Sequence, residues 1–127
     1  MVRILDLEKY AKENNIPIMQ KDGIDFMCEY IKKNNIKNIL EVGAAIGYSA
    51  IRMASISNDI KVTTIERDEK RYKEAVKNIE SFNLEQQINI IFNDAFDVEL
   101  NEQYDLIFRI YCSIYWFLTW NTYWTDW

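Results

Sequence analysis

The sequence predicts an α/β fold built on a parallel sheet. Three observations carry that reading. Short runs rich in Ile, Val and Thr, at 38–42, 60–65, 88–92 and 104–108, have the length and branching of buried strands. Segments with helical spacing of apolar residues lie between the first three. Strands alternating with helices at this interval make crossover units, and crossover units make parallel sheets.

Each element has a local cause. Residues 3–13 place Ile4, Leu7 and Tyr10/Ala11 on one side of a short amphipathic helix, and Asn14-Asn15 and Pro17 end it. Asp22-Gly23 opens a second helix over 24–33, with Ile24, Met27, Cys28 and Ile31 at i, i+3, i+4 and i+7. Asn34-Asn35 stops it. These two helices stand outside the alternation and are expected to cover the sheet or a site at its edge. The first strand, 38–42, leads into a helix over 47–57, and IKVTTI at 60–65 is the second strand. Asp68 is the expected N-cap of a helix over 69–82 that buries Tyr72, Ala75/Val76 and Ile79. INIIF at 88–92 and YDLIF at 104–108 complete four strands.

Composition narrows the chemistry. At 127 residues and 49% apolar, the chain holds one domain. Its net charge of −5 gives no general attraction to nucleic acid. A basic cluster (Arg67, Lys70, Arg71, Lys73, Lys77) alternates with Glu69 and Glu74, as a solvated helix face does, and a local basic patch is the other reading. There is no histidine, so Ser-His-Asp and Cys-His mechanisms and His-ligated zinc are excluded. Cys28 and Cys112 fit no metal spacing and are expected to be reduced and buried. No uncharged apolar run reaches the roughly 18 residues of a spanning helix. The N-terminus lacks the pattern of a secretory signal. The expected location is the cytoplasm, without a membrane role.

The stretch EVGAAIGYSAIRMA, 41–54, turns from strand to helix. Sites in parallel sheets lie beyond the carboxyl ends of the strands. Glu41 closes the strand. Gly43 and Gly47 permit a tight turn and a close approach to a ligand. The N–H groups that follow favour a carboxylate or phosphate. The spacing is not that of a phosphate-binding G-x4-G-K-[ST] loop, and Ala45 breaks a G-x-G-x-x-G fingerprint. E-x-G-x-x-x-G, the corner of S-adenosylmethionine-dependent methyltransferases, fits as written. Glu66 closes VTTIE about twenty residues on, where an acid accepts hydrogen bonds from both ribose hydroxyls. Asn93-Asp94-Ala95 ends the third strand, within reach of an adenine amino group. Taken singly, these residues are equally a tight turn and solvated strand ends; their order along three strand ends favours the cofactor.

GAAIGYSAIRMA, with ILE before it and TTIERDEKRYKEAVKNI after it, resembles the caffeoyl-CoA/catechol O-methyltransferase-like family. Within that family it is most similar to bacterial tRNA 5-hydroxyuridine methyltransferases, as is YAKENNIPIMQKDGIDFM near the start. The resemblance covers residues 5–108. It implies a Rossmann-like core and S-adenosylmethionine. Met19 and Gly43 would lie near the cofactor's methionine portion, Tyr48 and Ser49 would hold its carboxylate, Glu66 would take the ribose, and Asp94 and Ala95 would border the adenine. Core packing is the competing reading of Met19. The resemblance also implies a divalent ion, usually Mg2+, an acceptor that is tRNA or a small hydroxyl-bearing molecule, and a homodimer.

The resemblance stops at Phe108. A metal-binding aspartate is expected just after the fourth strand, but the chain reads YDLIFRIYCSIYW, with Arg109 and Ile110 there. No catalytic or metal-binding residue is identifiable from it. No lysine follows Lys77, and all four tryptophans (Trp116, Trp120, Trp124, Trp127) fall at the end. Residues 1–108 are therefore expected to be the cofactor-binding part, truncated after about four strands. Residues 109–127 would be an aberrant aromatic-rich tail, of the kind a reading-frame shift produces. On a helix its tryptophans would share one stripe; a disordered or loosely packed tail is the other reading.

Overall fold

The computed structural model describes residues 2–109 and 117–119. In chain order the elements are α1 (Ile4–Glu13), α2 (Lys21–Lys33), β1 (Asn38–Val42), α3 (Tyr48–Ala54), β2 (Lys61–Glu66), α4 (Glu69–Ser81), β3 (Ile88–Phe92), β4 (Leu106–Arg109) and β5 (Phe117–Thr119). They form an α/β, Rossmann-like fold. The sheet order is β3-β2-β1-β4-β5. The first four strands are parallel, and β5 runs antiparallel beside β4, with Phe108 opposite Leu118. The four expected strands are present and parallel, and a short antiparallel fifth strand pairs with the β4 edge. Residues 117–119 are extended. The four tryptophans and Cys112 lie outside the described residues.

Strand periodicity sorts side chains onto two faces. Ile39, Val62, Ile88, Leu106 and Phe108 point to the face covered by the helices and join a core with Leu7, Met27, Ile31, Ile51 and Ile79. Leu40, Ile65 and Tyr104 point the other way, with Val42, Ile91, Val98 and Ile107 packed against them. Leu40 and Ile39 are fully buried, so β1 is central in both senses.

Three helices end by one device. Asn15, Asn35 and Asn83 take left-handed backbone (φ 54, 52 and 56). The next residue's N–H then reaches back into the helix: Ile16 to Ala11 (2.9 Å), Ile36 to Ile31 (3.1 Å) and Leu84 to Ile79 (3.1 Å). Asparagine tolerates this conformation better than most side chains, and the bond satisfies an orphan carbonyl. Asp68 caps α4 as expected, accepting from the Arg71 N–H at 2.9 Å.

Helix boundaries differ from expectation in two places. α2 starts at Lys21, so Asp22 and Gly23 lie inside its first turn. α3 stops at Ala54 rather than 57. Tyr72 and Val76 are half-buried, not buried; Tyr72 packs on Phe92, ring centroids 5.1 Å apart. The basic cluster of α4 is mainly exposed, as a solvated face would be. Among the described residues no helix is long and apolar enough to cross a membrane.

Candidate functional site at the carboxyl edge of the sheet

The backbone after β1 is unusual in a short space. Gly43 and Gly47 have φ of 98 and 85, and between them Ala45 has φ of 49. The N–H groups of Gly43 and Ala44 both donate to the Ile65 carbonyl, at 2.8 and 3.1 Å. Gly47 N–H donates to the Ala44 carbonyl at 2.8 Å, which closes the turn. A Cβ on Gly47 would meet Ala75 of α4 at an ordinary 3.5 Å, so its positive φ rather than space calls for glycine. Asn78 on α4 donates its amide to the Ile46 carbonyl at 2.9 Å. The corner is thus bolted to β2 and to α4.

Glu41 sits beneath this corner on the helix-covered face, with no exposed surface. Ser49 Oγ donates to its Oε2, and Thr64 Oγ1 donates to its Oε1 at 2.6 Å. Burial pushes its pKa up to about 7; the two hydroxyls oppose that rise and the nearby Glu66 carboxylate adds to it. Glu66, at the end of β2, is 6% exposed. Burial raises its pKa as well, while the charge of Arg71 and a backbone N–H from Ala45 pull the other way. The end of β3 joins the group through Asn93 N–H, which donates to the Glu66 carbonyl at 3.1 Å. Asp94 is half-buried; its Oδ1 accepts from the Phe96 N–H at 3.0 Å and its Oδ2 lies 4.0 Å from Arg67. Ala95 packs beside the second core.

Glu41, Gly43, Gly47, Ser49, Glu66, Asp94 and Ala95 therefore gather at the carboxyl ends of three adjacent strands. The other two expected residues are buried. Met19 is 7% exposed and belongs to the main core. Tyr48 is buried, and its hydroxyl donates to Glu8 on α1 at 2.6 Å. Burial, and then Glu8, push its pKa up to about 12. The Tyr48 and Ser49 hydroxyls both donate to carboxylates of the protein, Glu8 and Glu41. α3 is seven residues long, too short to lend much dipole.

The sequence reading passed over Thr64 and Asn78. Both carried a signal: each is a polar residue on a buried stripe, Thr64 two before Glu66 and Asn78 three after Ala75. A hollow of about 470 Å3 lies at the opposite edge, lined by Asn38, Lys61, Gln87 and Glu102 among others. It is on the amino side of the strands, away from where parallel sheets place their sites.

The model of a family described as O-methyltransferase matches residues 2–109. A crystal structure of a Staphylococcus aureus protein described as a caffeoyl-CoA O-methyltransferase superposes with a TM-score of 0.79 at 40% identity, over 84% of this chain and 53% of that one. The O-methyltransferase from Bacillus cereus, solved in complex with SAH, superposes with a TM-score of 0.75 at 28% identity and the same coverage. The caffeoyl-CoA O-methyltransferase of Populus kitakamiensis is 31% identical over 89 residues, 69% of this chain and 37% of that enzyme. The chain thus spans about half the length of these solved relatives, and less of the poplar enzyme.

Proposed function

The chain belongs to the O-methyltransferase family, and from that premise we propose that residues 1–108 bind S-adenosylmethionine for O-methyl transfer. One observation carries the reading: Glu66 ends β2 beside the 43–47 turn, where Gly43 and Ala44 N–H donate to the Ile65 carbonyl and Asn93 N–H donates to the Glu66 carbonyl, so the ends of β1, β2 and β3 meet at this acid. An ionised carboxylate is purely an acceptor, so it suits a vicinal diol such as the ribose of the cofactor. The 43–47 backbone would lie under the methionine portion, with Asp94 and Ala95 bordering the adenine. The bound SAH of the Bacillus cereus relative supports a cofactor of this class. When bound, the cofactor supplies a methyl group on a positively charged sulfur, which an oxygen nucleophile displaces.

The divalent ion that the family resemblance implies does not fit the residues at hand. Among the described residues, no three His, Cys, Asp or Glu side chains group to hold a metal. Arg109 stands at the end of β4, where a carboxylate is expected. No step of this proposal runs through a metal.

Two acceptors follow from different observations. The match of the corner and N-terminal segments to tRNA 5-hydroxyuridine methyltransferases supports hydroxyuridine in tRNA. The net charge of −5 and the caffeoyl-CoA enzymes among the relatives favour a small catechol-like acceptor. Pairing with a second copy and a cytoplasmic location remain part of the proposal.

Titration calorimetry with S-adenosylmethionine tests the cofactor reading. The chain is expected to bind one equivalent saturably, and Glu66→Ala to weaken binding about tenfold through loss of charge-assisted hydrogen bonds. Equal affinity in the variant rejects the ribose assignment; no heat with the wild type rejects the cofactor. The chain alone is expected to bind without turnover. Methyl transfer to hydroxyuridine-containing tRNA or to a catechol, with magnesium added, would place a donor set outside the described residues.

A further inference from the structure

The side chains that join the N-terminal helices to the corner form one connected set. Tyr48 Oη, at the first residue of α3, donates to Glu8 of α1 at 2.6 Å. One turn on, Arg52 Nη1 donates back to Tyr48 Oη at 3.2 Å, and its guanidinium carbon stands 6.0 Å from the centre of the Tyr48 ring. Arg52 Nη2 donates to Asp25 Oδ1 of α2 at 2.6 Å, and Asp25 Oδ2 accepts from Lys21 at 2.9 Å. Two acids and two bases alternate around one phenol, so the set is balanced in charge. Tyr48 is 1% exposed and the Arg52 side chain 21%, so the bonds at the phenol are partly shielded from water, whereas the Asp25–Lys21 end is open to it. The residue before Tyr48 is Gly47, which completes the corner. A shift of α1 or α2 therefore pulls on the backbone that the proposed cofactor would touch.

We propose that Tyr48 is a positioning residue: through Glu8 and the Arg52–Asp25 pair it clamps α1 and α2 to the cofactor corner, so that docking of the helix pair and occupancy of the corner favour each other. The proposal rests on the cofactor reading above for its ligand, but not for its mechanical part. A phenol replaced by phenylalanine keeps the ring packing and loses only the link. Glutamine at position 8 keeps an acceptor for the phenol, whereas alanine does not.

Two measurements decide it. In the ligand-free chain, hydrogen exchange of Glu8→Ala is expected to quicken at residues 47–51 as well as in α1; quickening confined to α1 overturns the clamp. In calorimetry, Tyr48→Phe and Glu8→Ala are each expected to weaken S-adenosylmethionine binding about fivefold, the worth of one part-buried hydrogen bond. Glu8→Gln should restore most of it, and the double variant should be no worse than either single one. A lower melting temperature with unchanged affinity means a merely structural link and overturns the proposal. If the wild type binds no cofactor, the function proposed above fails, and the exchange experiment alone judges the clamp.

Discussion

Glu41 and Glu66 close neighbouring strands on the same face of one sheet, yet the two strand ends serve opposite purposes. The end of β1 is saturated from within: Ser49 and Thr64 give Glu41 two hydroxyl donors, and no part of it reaches solvent. The end of β2 carries an acid that is 6% exposed and lies in the field of Arg71. Burial raises the pKa of both, but at Glu41 the protein provides two hydroxyl partners, whereas at Glu66 the partner we propose is the cofactor's ribose. The difference teaches that residue type and face do not assign a role; the source of the donors does.

The largest effect expected from this contrast concerns pH. Unfolded, Glu41 releases its proton near 4.5; folded, it holds it to about 7. Rising pH across that window favours the unfolded chain. The stabilisation present below 4.5 is lost by pH 7, on the order of 3 kcal/mol at ~1.4 kcal/mol per unit. Urea unfolding at pH 5 and pH 8 should show this fall in the wild type and a much shallower one in Glu41→Gln. Parallel slopes would mean Glu41 is ionised in the fold, and would erase the distinction between the two ends.

Next comes Thr64→Val, which removes one donor from a buried acid without changing shape. A loss of about 2 kcal/mol is expected, the cost of an unsatisfied buried acceptor. Gly47→Ala should cost roughly 1–2 kcal/mol, because it forces a methyl group into left-handed backbone; Ala75 itself gives no clash. The smallest effect sharpens the comparison most. Glu66→Gln keeps the shape of this 6% exposed side chain and removes only its charge, so it should change stability by about 1 kcal/mol or less. A drop as large as that of Thr64→Val would make Glu66 a second structural acid.

Much of the fold was legible because its causes are local. The strands 38–42 and 88–92 match residue for residue, since branched apolar runs bounded by turn residues leave few alternatives. Asp68 announced its helix through a cap, and the asparagine pairs announced two helix ends. The corner and Glu66 were legible by spacing. What escaped was set by distant partners. Glu8, on the turn of α1 that also carries the buried Leu7, looks like any surface acid until Tyr48 is placed beside it. Asn78 reads as a weak helix former until the Ile46 carbonyl stands above it. β5 could not be seen because pairing with β4, not its own pattern, makes three residues a strand.

Ala45 carries a consequence of its own. It occupies left-handed backbone with a methyl group, between two glycines that enter that region freely. Changing it to glycine would relieve strain of roughly 1–2 kcal/mol and enlarge the entropy of the unfolded chain by a comparable amount, so stability would hardly move. Mobility of the ligand-free turn would rise. The methyl group therefore acts as a stiffener: it narrows the conformations the turn visits before a ligand arrives, and so reduces the entropy that binding must remove.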